Sequence, residues 1–375
     1  MNWGPYLLLP VLAVCSHVLG NGAACQVHDS SSFVVAGYWT GGGDAIGRYS
    51  ISALTHINFS FIQLQEGRVA LRDERDSLTL RRLDSLKAKF PRLKIVASFG
   101  GWGGCENCSG AFSSPEGRER FAQSTKEFLD KFNLDGIDLD WEYPAIEGYP
   151  NHAFAPEDRH NFTLLLQELR QVLGTQREIT FAAGGFEKYL SESIEWARVV
   201  PLVDRVYLMT YDFVNGSSTE TGHHTLLYST VHQKESTDNA VRFLDSLGVP
   251  RRIVVIGAAF YARVWGDVRD SLHGVYQQGR FADYVSFREL DHFCSQHPGF
   301  ESYWDSTASA PYRYNPREKL FMTFDNRRSV SLKTRYALDK GLGGIMFWEL
   351  SNDLEKGGLL DAIDSTRNVL RTPLR

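Results

Sequence analysis

Eight short apolar runs, separated by stretches of helical period, constrain this chain more than any other feature. They fall at Phe33–Trp39, Leu54–Ile62, Leu93–Phe99, the segment starting at Leu134, Glu178–Gly185, Val203–Thr210, Arg252–Phe260 and Gly343–Trp348. Near-continuous apolar character suits parallel strands buried on both faces. Ser77–Phe90 places Leu83, Leu86 and Phe90 at helical spacing and stops at Pro91. A second helix opens at Ser114-Pro115-Glu116, where Ser caps and Pro takes the first turn, and Phe121, Thr125, Phe128 and Phe132 continue its face. Pro156–Leu173 carries Phe162, Leu165, Leu166 and Leu169 on one side and closes at Gly174. Shorter helical stretches lie at Ser191–Val200 and Thr237–Leu247. Eight strands alternating with helices predict an α/β chain, a (β/α)8 TIM barrel. The competing doubly wound open sheet would carry a Gly-rich dinucleotide loop, which this sequence lacks.

The fourth run departs from the apolar rule. In Leu134-Asp135-Gly136-Ile137-Asp138-Leu139-Asp140-Trp141-Glu142-Tyr143-Pro144, a strand puts Asp138, Asp140 and Glu142 on one face. Ile137, Leu139 and Trp141 share the other. Carboxylates two residues apart on a strand sit roughly 7 Å apart. Mutual repulsion then raises at least one pKa and keeps an acid protonated near neutrality. That is the chemistry of a general acid. A solvated acidic face would not end in Trp141-Glu142-Tyr143-Pro144, where the chain leaves the sheet.

Asp135-Gly136-Ile137-Asp138-Leu139-Asp140-Trp141-Glu142 resembles the DGxDxDxE signature of the family 18 glycoside hydrolases, the chitinases and their relatives. The resemblance continues in order along the chain. Ser98-Phe99-Gly100-Gly101-Trp102 resembles the strand-three motif, Met209-Thr210-Tyr211-Asp212 the strand-six motif, and Gly257–Trp265 the strand-seven motif. Ala259 and Ala262 stand in the last where Pro and Gly are common, while Tyr261 and Arg263 are kept. Gly343–Trp348 resembles the strand-eight motif. The resemblance implies retaining, substrate-assisted hydrolysis, with the acetamido oxygen of the sugar as nucleophile. Glu142 would be the acid and later the base, Asp140 would hold the acetamido N–H, and Asp138 would share a proton with Asp140. Tyr211 would donate to the acetamido oxygen. Trp348 would floor the scissile sugar, although an isolated Trp is more often core. Tyr143, Met209, Asp212, Tyr261 and Arg263 would complete the sugar site. Tyr38 and Ser98 would bond Asp138, and Trp102 would stack under the leaving group.

By the same resemblance the substrate is chitin or N-acetylglucosamine oligosaccharides, cleaved internally by a monomer that needs no cofactor. An endo-β-N-acetylglucosaminidase acting on N-glycans and a non-hydrolytic chitin-binding lectin are the alternatives; the lectin would have lost the acid. The long connection between the last two strands is rich in Tyr, Phe and Trp and too long for a structureless loop. It is read as an α+β insertion, residues 266–320, forming one wall of the cleft.

A chain of 375 residues with 43% hydrophobic content can bury one large core. The formal charge of -5 argues against nucleic acid or an anionic membrane as partner. Neither a metal-ligand set nor a phosphate loop appears. Tyr6–Val14 is a short apolar run followed by small residues, read as a secretory signal over residues 1–24, with residues 25–375 as the catalytic domain. Cleavage would remove Cys15 and leave Cys25, Cys105, Cys108 and Cys294, whose three pairings stay open; a local Cys105–Cys108 bridge or free thiols is favoured over zinc. Asn107, Asn161 and Asn215 begin glycosylation sequons, as does Asn58, which falls in an apolar strand and is expected to be buried.

Overall fold

The computed structural model describes Met1 and residues 33–369; the apolar run at Tyr6–Val14, Cys15 and Cys25 lie outside the described residues. Its strands, in chain order, are β1 (Val34–Trp39), β2 (His56–Gln65), β3 (Arg68–Ala70), β4 (Lys94–Gly100), β5 (Gly136–Asp140), β6 (Glu178–Gly184), β7 (Arg205–Met209), β8 (Val254–Ala259), β9 (Tyr261–Gly266), β10 (Arg280–Ser286), β11 (Glu301–Asp305), β12 (Ala310–Asn315), β13 (Leu320–Phe324) and β14 (Gly344–Trp348). Eight of them, in the order β1-β2-β4-β5-β6-β7-β8-β14, pair in parallel, and β14 returns to β1 to close the barrel. This is the predicted (β/α)8 barrel. β3 was not foreseen; it folds back antiparallel on the end of β2.

The helices are α1 (Glu74–Leu86), α2 (Cys108–Phe112), α3 (Pro115–Phe132), α4 (Asp158–Leu173), α5 (Glu187–Glu192), α6 (Trp196–Val199), α7 (Thr237–Ser246), α8 (Leu290–Gln296), α9 (Arg327–Asp339) and α10 (Leu359–Val369). α3 is built as its sequence predicts: Ser114 accepts from the Gly117 N–H at 3.1 Å, Pro115 takes the first turn, and Phe121, Thr125, Phe128 and Phe132 are buried. α1 begins three residues before the predicted Ser77, because Asp73 caps it by accepting from the Arg75 and Asp76 amides. The stretch predicted as one helix from Ser191 to Val200 is two. The chain breaks at Ser193–Glu195, and the Trp196 indole donates to the Leu190 carbonyl at 2.7 Å.

The main hydrophobic core lies between strands and helices, with a smaller one inside the barrel around Tyr38, Tyr207, Met209 and Met346. Between β8 and β14 stands the insertion, a five-stranded antiparallel sheet in the order β10-β9-β13-β12-β11 carrying α8. It starts at Tyr261, earlier than residue 266, with Phe260 alone between it and the end of β8. Tyr261 and Arg263, expected on barrel strand seven, therefore belong to the insertion. Phe260, the residue at the corner, stacks on Phe347 with ring centroids 4.0 Å apart. Among the described residues no helix is long and apolar enough to cross a membrane.

Cys105 and Cys108 form a disulfide, and Cys294 has no disulfide partner among the described residues. Asn58 is fully buried, as expected from its strand.

Candidate active site

Asp138 lies in mid-barrel with no exposed surface. Register explains its partners. Ser98 on β4 and Thr180 on β6 are its direct cross-strand neighbours. Their hydroxyls donate to its carboxylate at 2.8 and 2.7 Å, and Tyr38 donates across the barrel at 2.9 Å. Tyr38 and Ser98 were expected there; Thr180 was not, although a Thr in an apolar strand was the available signal. Burial pushes the Asp138 carboxyl up against these three donors. Both its oxygens accept from hydroxyls. Asp140 is almost wholly buried, and its Oδ1 has no hydrogen-bond partner among the described residues. Burial first, then Glu142 and Asp138, hold its carboxyl well above the usual range.

Glu142 lies two residues beyond the end of β5, not on the strand itself. The ladder stops where β4 stops, since Gly100 pairs with Asp140. Gly100 has φ 101°, and a Cβ there would sit 2.4 Å from the Asp140 carbonyl oxygen, so this turn requires glycine. Burial pushes the Glu142 carboxyl up to about 7; the Tyr143 hydroxyl opposes the shift and the charge of Asp212 adds to it. Desolvation, ahead of the like-charge repulsion expected from the strand pattern, is thus the main cause.

Tyr211 and Asp212 follow β7. Gly257 on β8 makes room for the Tyr211 ring, since a Cβ there would meet its Cε1 at 2.8 Å. The Tyr211 hydroxyl lies 3.8 Å from the Met346 sulfur. Asp212 accepts from the Tyr261 hydroxyl at 2.8 Å and from Arg263 Nε and Nη2 at 2.5 and 2.7 Å, with His224 Nδ1 3.4 Å away. Tyr261 and Arg263, expected to touch sugar, are directed at Asp212. Burial alone would raise this carboxyl; His224 and Arg263 outweigh it and hold Asp212 well below the usual carboxylate range. His224 was missed by sequence reasoning, although adjacent His223 and His224 before Leu226-Leu227 were a visible signal.

Trp348, at the end of β14, stacks on Phe61 with centroids 5.5 Å apart and tilts against Tyr38. Met209 packs beneath, in the barrel interior. Trp102 is 57% exposed and lies edge-on to the exposed Tyr149, with Tyr143 beyond it. The expected residues thus gather at the carboxyl ends of the barrel strands, where (β/α)8 enzymes place their chemistry. Among the described residues no group of His, Cys, Asp and Glu is placed to hold a metal ion.

The profile of "Glycosyl hydrolases family 18" matches residues 34–353. This chain belongs to the family 18 glycosyl hydrolases. The family 18 chain is 34% identical over 325 residues to Chitinase A1 of Niallia circulans, covering 76% of its own length and 46% of that protein's. It spans less than half of that relative. Among solved structures it resembles a family 18 N-acetylglucosaminidase from Paenibacillus barengoltzii, with a TM-score of 0.80 and 36% identity over 89% of this chain and 99% of that one. It also resembles the Ostrinia furnacalis Group IV chitinase in complex with allosamidin, with a TM-score of 0.81 and 26% identity over 90% and 98% of the two chains.

Proposed function

We propose that this family 18 enzyme is a retaining chitinase that hydrolyses β-1,4 bonds between N-acetylglucosamine units, with the substrate's own acetamido group as nucleophile. The observation that carries the reading is Glu142, a carboxyl titrating near 7 and set past the strand that carries Asp140. A proton held near neutrality suits a general acid, and the same group can return as base. Asp140 supports the other half. Its unpartnered carboxyl oxygen is suited to hold the acetamido N–H, and Tyr211 to align the acetamido oxygen on C1. An intramolecular nucleophile held in line gains several kcal/mol from orientation alone. A lectin would have no use for a poised proton. The disulfide at Cys105–Cys108 supports the expected secretion, because such bonds persist in oxidising compartments.

Removing the acetyl group from the sugar on the glycon side of the scissile bond removes the nucleophile. Partly deacetylated chitosan should therefore be cut only where N-acetylglucosamine supplies the new reducing end. Frequent glucosamine at the new reducing ends would overturn substrate assistance. Internal cleavage is our reading of the mode of action. The likeness to the Paenibacillus N-acetylglucosaminidase favours a second mode, release of single sugars. The early products from a hexamer decide: dimers to tetramers mean internal cutting, monomer plus pentamer means release from an end.

A further inference from the structure

His223, His224 and Thr225 are consecutive and buried, and each meets a different acid. His223 Nε2 lies 3.1 Å from Asp305 at the end of β11. His224 Nδ1 lies 3.4 Å from Asp212, and the Thr225 hydroxyl donates to Asp325, just past β13, at 3.2 Å. Asp305 and Asp325 belong to the insertion and its exit, Asp212 to the barrel mouth. The tripeptide is the seam between the two.

Asp212 has φ 59°, a left-handed conformation that a non-glycine residue adopts only at a cost. Such a backbone persists where its surroundings over-determine it. Tyr261 and Arg263 reach Asp212 from a single insertion strand. His224 reaches it from the chain that follows β7. The Phe213 amide donates to the His224 carbonyl at 3.2 Å, so the segment 213–224 closes on itself directly beside Asp212. The His224 amide is in turn anchored on the Thr323 hydroxyl at 3.2 Å.

We propose that His224 is a positioning residue for Asp212, closing the 213–224 segment onto its carboxylate so that Asp212 keeps its charge and its place near Glu142. The groups facing the imidazole are Asp212 beside it, Arg263 and the Tyr261 ring from β9, and Asp325 beyond β13. Burial keeps the imidazole neutral against the two acids. Nδ1 is the ring atom nearest Asp212, and neither imidazole nitrogen completes a hydrogen bond among the described residues, so a proton carried on Nδ1 faces the carboxylate. This proposal rests on the hydrolytic reading above, in which the charge of Asp212 helps Glu142 keep its proton.

The test compares His224→Asn, His224→Gln and His224→Phe on a fluorogenic glycoside of the N-acetylglucosamine dimer, with pH profiles of kcat and kcat/KM. Asn presents an amide N–H near the Nδ1 position, Gln places it too far, and Phe has none. In His224→Phe kcat should fall ~10-fold or more while KM stays within about threefold, and the alkaline limb should move to lower pH by about half a unit, because Glu142 loses a fixed anion. His224→Asn should keep the wild-type limb and most of kcat. If the Phe variant does not fold, the Asn and Gln pair still decides, with Gln expected to behave as Phe. An unmoved limb in active Phe and Gln variants, or equal damage from Asn and Gln, would overturn the role of His224 alone. Absence of hydrolysis by the wild type at every pH would instead overturn the proposed function.

Discussion

Glu142 holds a proton to about pH 7 chiefly because it is desolvated, and that has a consequence for stability as well as for rate. A carboxyl raised in the folded state contributes stability below its unfolded value near 4.5, and this is lost as pH rises through about 7. Glutamine does not titrate. Glu142→Gln should therefore melt above the wild type at pH 8, by about 1–2 kcal/mol once the solvent-facing part of the side chain is discounted. The gap should open between pH 4.5 and 7 and stay flat above. Thermal melts across that range check it, and a gap independent of pH would show that Glu142 is not raised. The same variant should lose ~10²–10⁴-fold or more in hydrolysis while still binding oligosaccharide, because the amide has no proton to give. Near wild-type turnover would remove Glu142 from its role. Thr180→Val strips one of three donors from a buried carboxylate, which should cost about 1–3 kcal/mol in urea unfolding.

At the scale of elements, the insertion is tied to the barrel by a buried ion pair. Lys333 on α9 has no exposed surface and donates to Asp325 at 2.7 Å, to the Thr225 hydroxyl at 2.6 Å and to its carbonyl at 3.0 Å. Asp325 also accepts from the Ala259 amide at the end of β8 and from Ser329. The end of β8, the exit from β13 and α9 thus share one charge pair. Removing one partner leaves the other charge buried and alone, so Lys333→Met should cost about 3–5 kcal/mol. Adding Asp325→Asn should recover about half of that, because the uncompensated charge is gone. Urea titrations of the two singles and the double check it; additive losses would mean that the pair does not interact.

The whole molecule separates chemistry from stability along the barrel axis. Asp140, Tyr211, Asp212 and Trp348 lie at the carboxyl ends of the strands. His56, Lys94, Glu178 and Arg205 lie at the amino ends, gathered on the Glu178 carboxylate, with His56 Nε2 at 3.0 Å and Arg205 Nη1 at 2.9 Å. Burial alone would raise Glu178; His56, Arg205 and Lys94 outweigh it and hold it far below the usual range. A depressed carboxyl contributes stability that is present above its unfolded value near 4.5 and lost as pH falls below it. Burial lowers the His56 pKa, so acidification through 6.5 also favours the unfolded chain. Urea midpoints should therefore fall as pH drops below 4.5, where Glu142 is protonated in both states, and Glu178→Gln should flatten that slope while lowering stability at pH 7. Equal slopes would mean that another group governs acid unfolding.

Much of this was legible in the residues. Apolar runs with a helical rhythm between them suffice for the barrel, because a strand covered by helices must be apolar on both faces. Ser114-Pro115 specified the start of α3 locally, since a cap and a proline act within one turn. Asp138, Asp140 and Glu142 announced an acid site because strand geometry puts alternate residues on one side. Partners far apart in sequence were decided only by tertiary structure. Thr180 meets Asp138 through the register of β5 and β6, which no local pattern states. Tyr261 and Arg263 turned to Asp212 because the chain leaves the barrel at Phe260 and the new sheet carries them back over the barrel mouth. His224 became a clamp only when the insertion closed over the end of β7, and desolvation became the main cause of the Glu142 proton only when the packed chain buried that carboxyl. Burial and charge neighbours are properties of the packed chain, and a sequence shows them only where they are local.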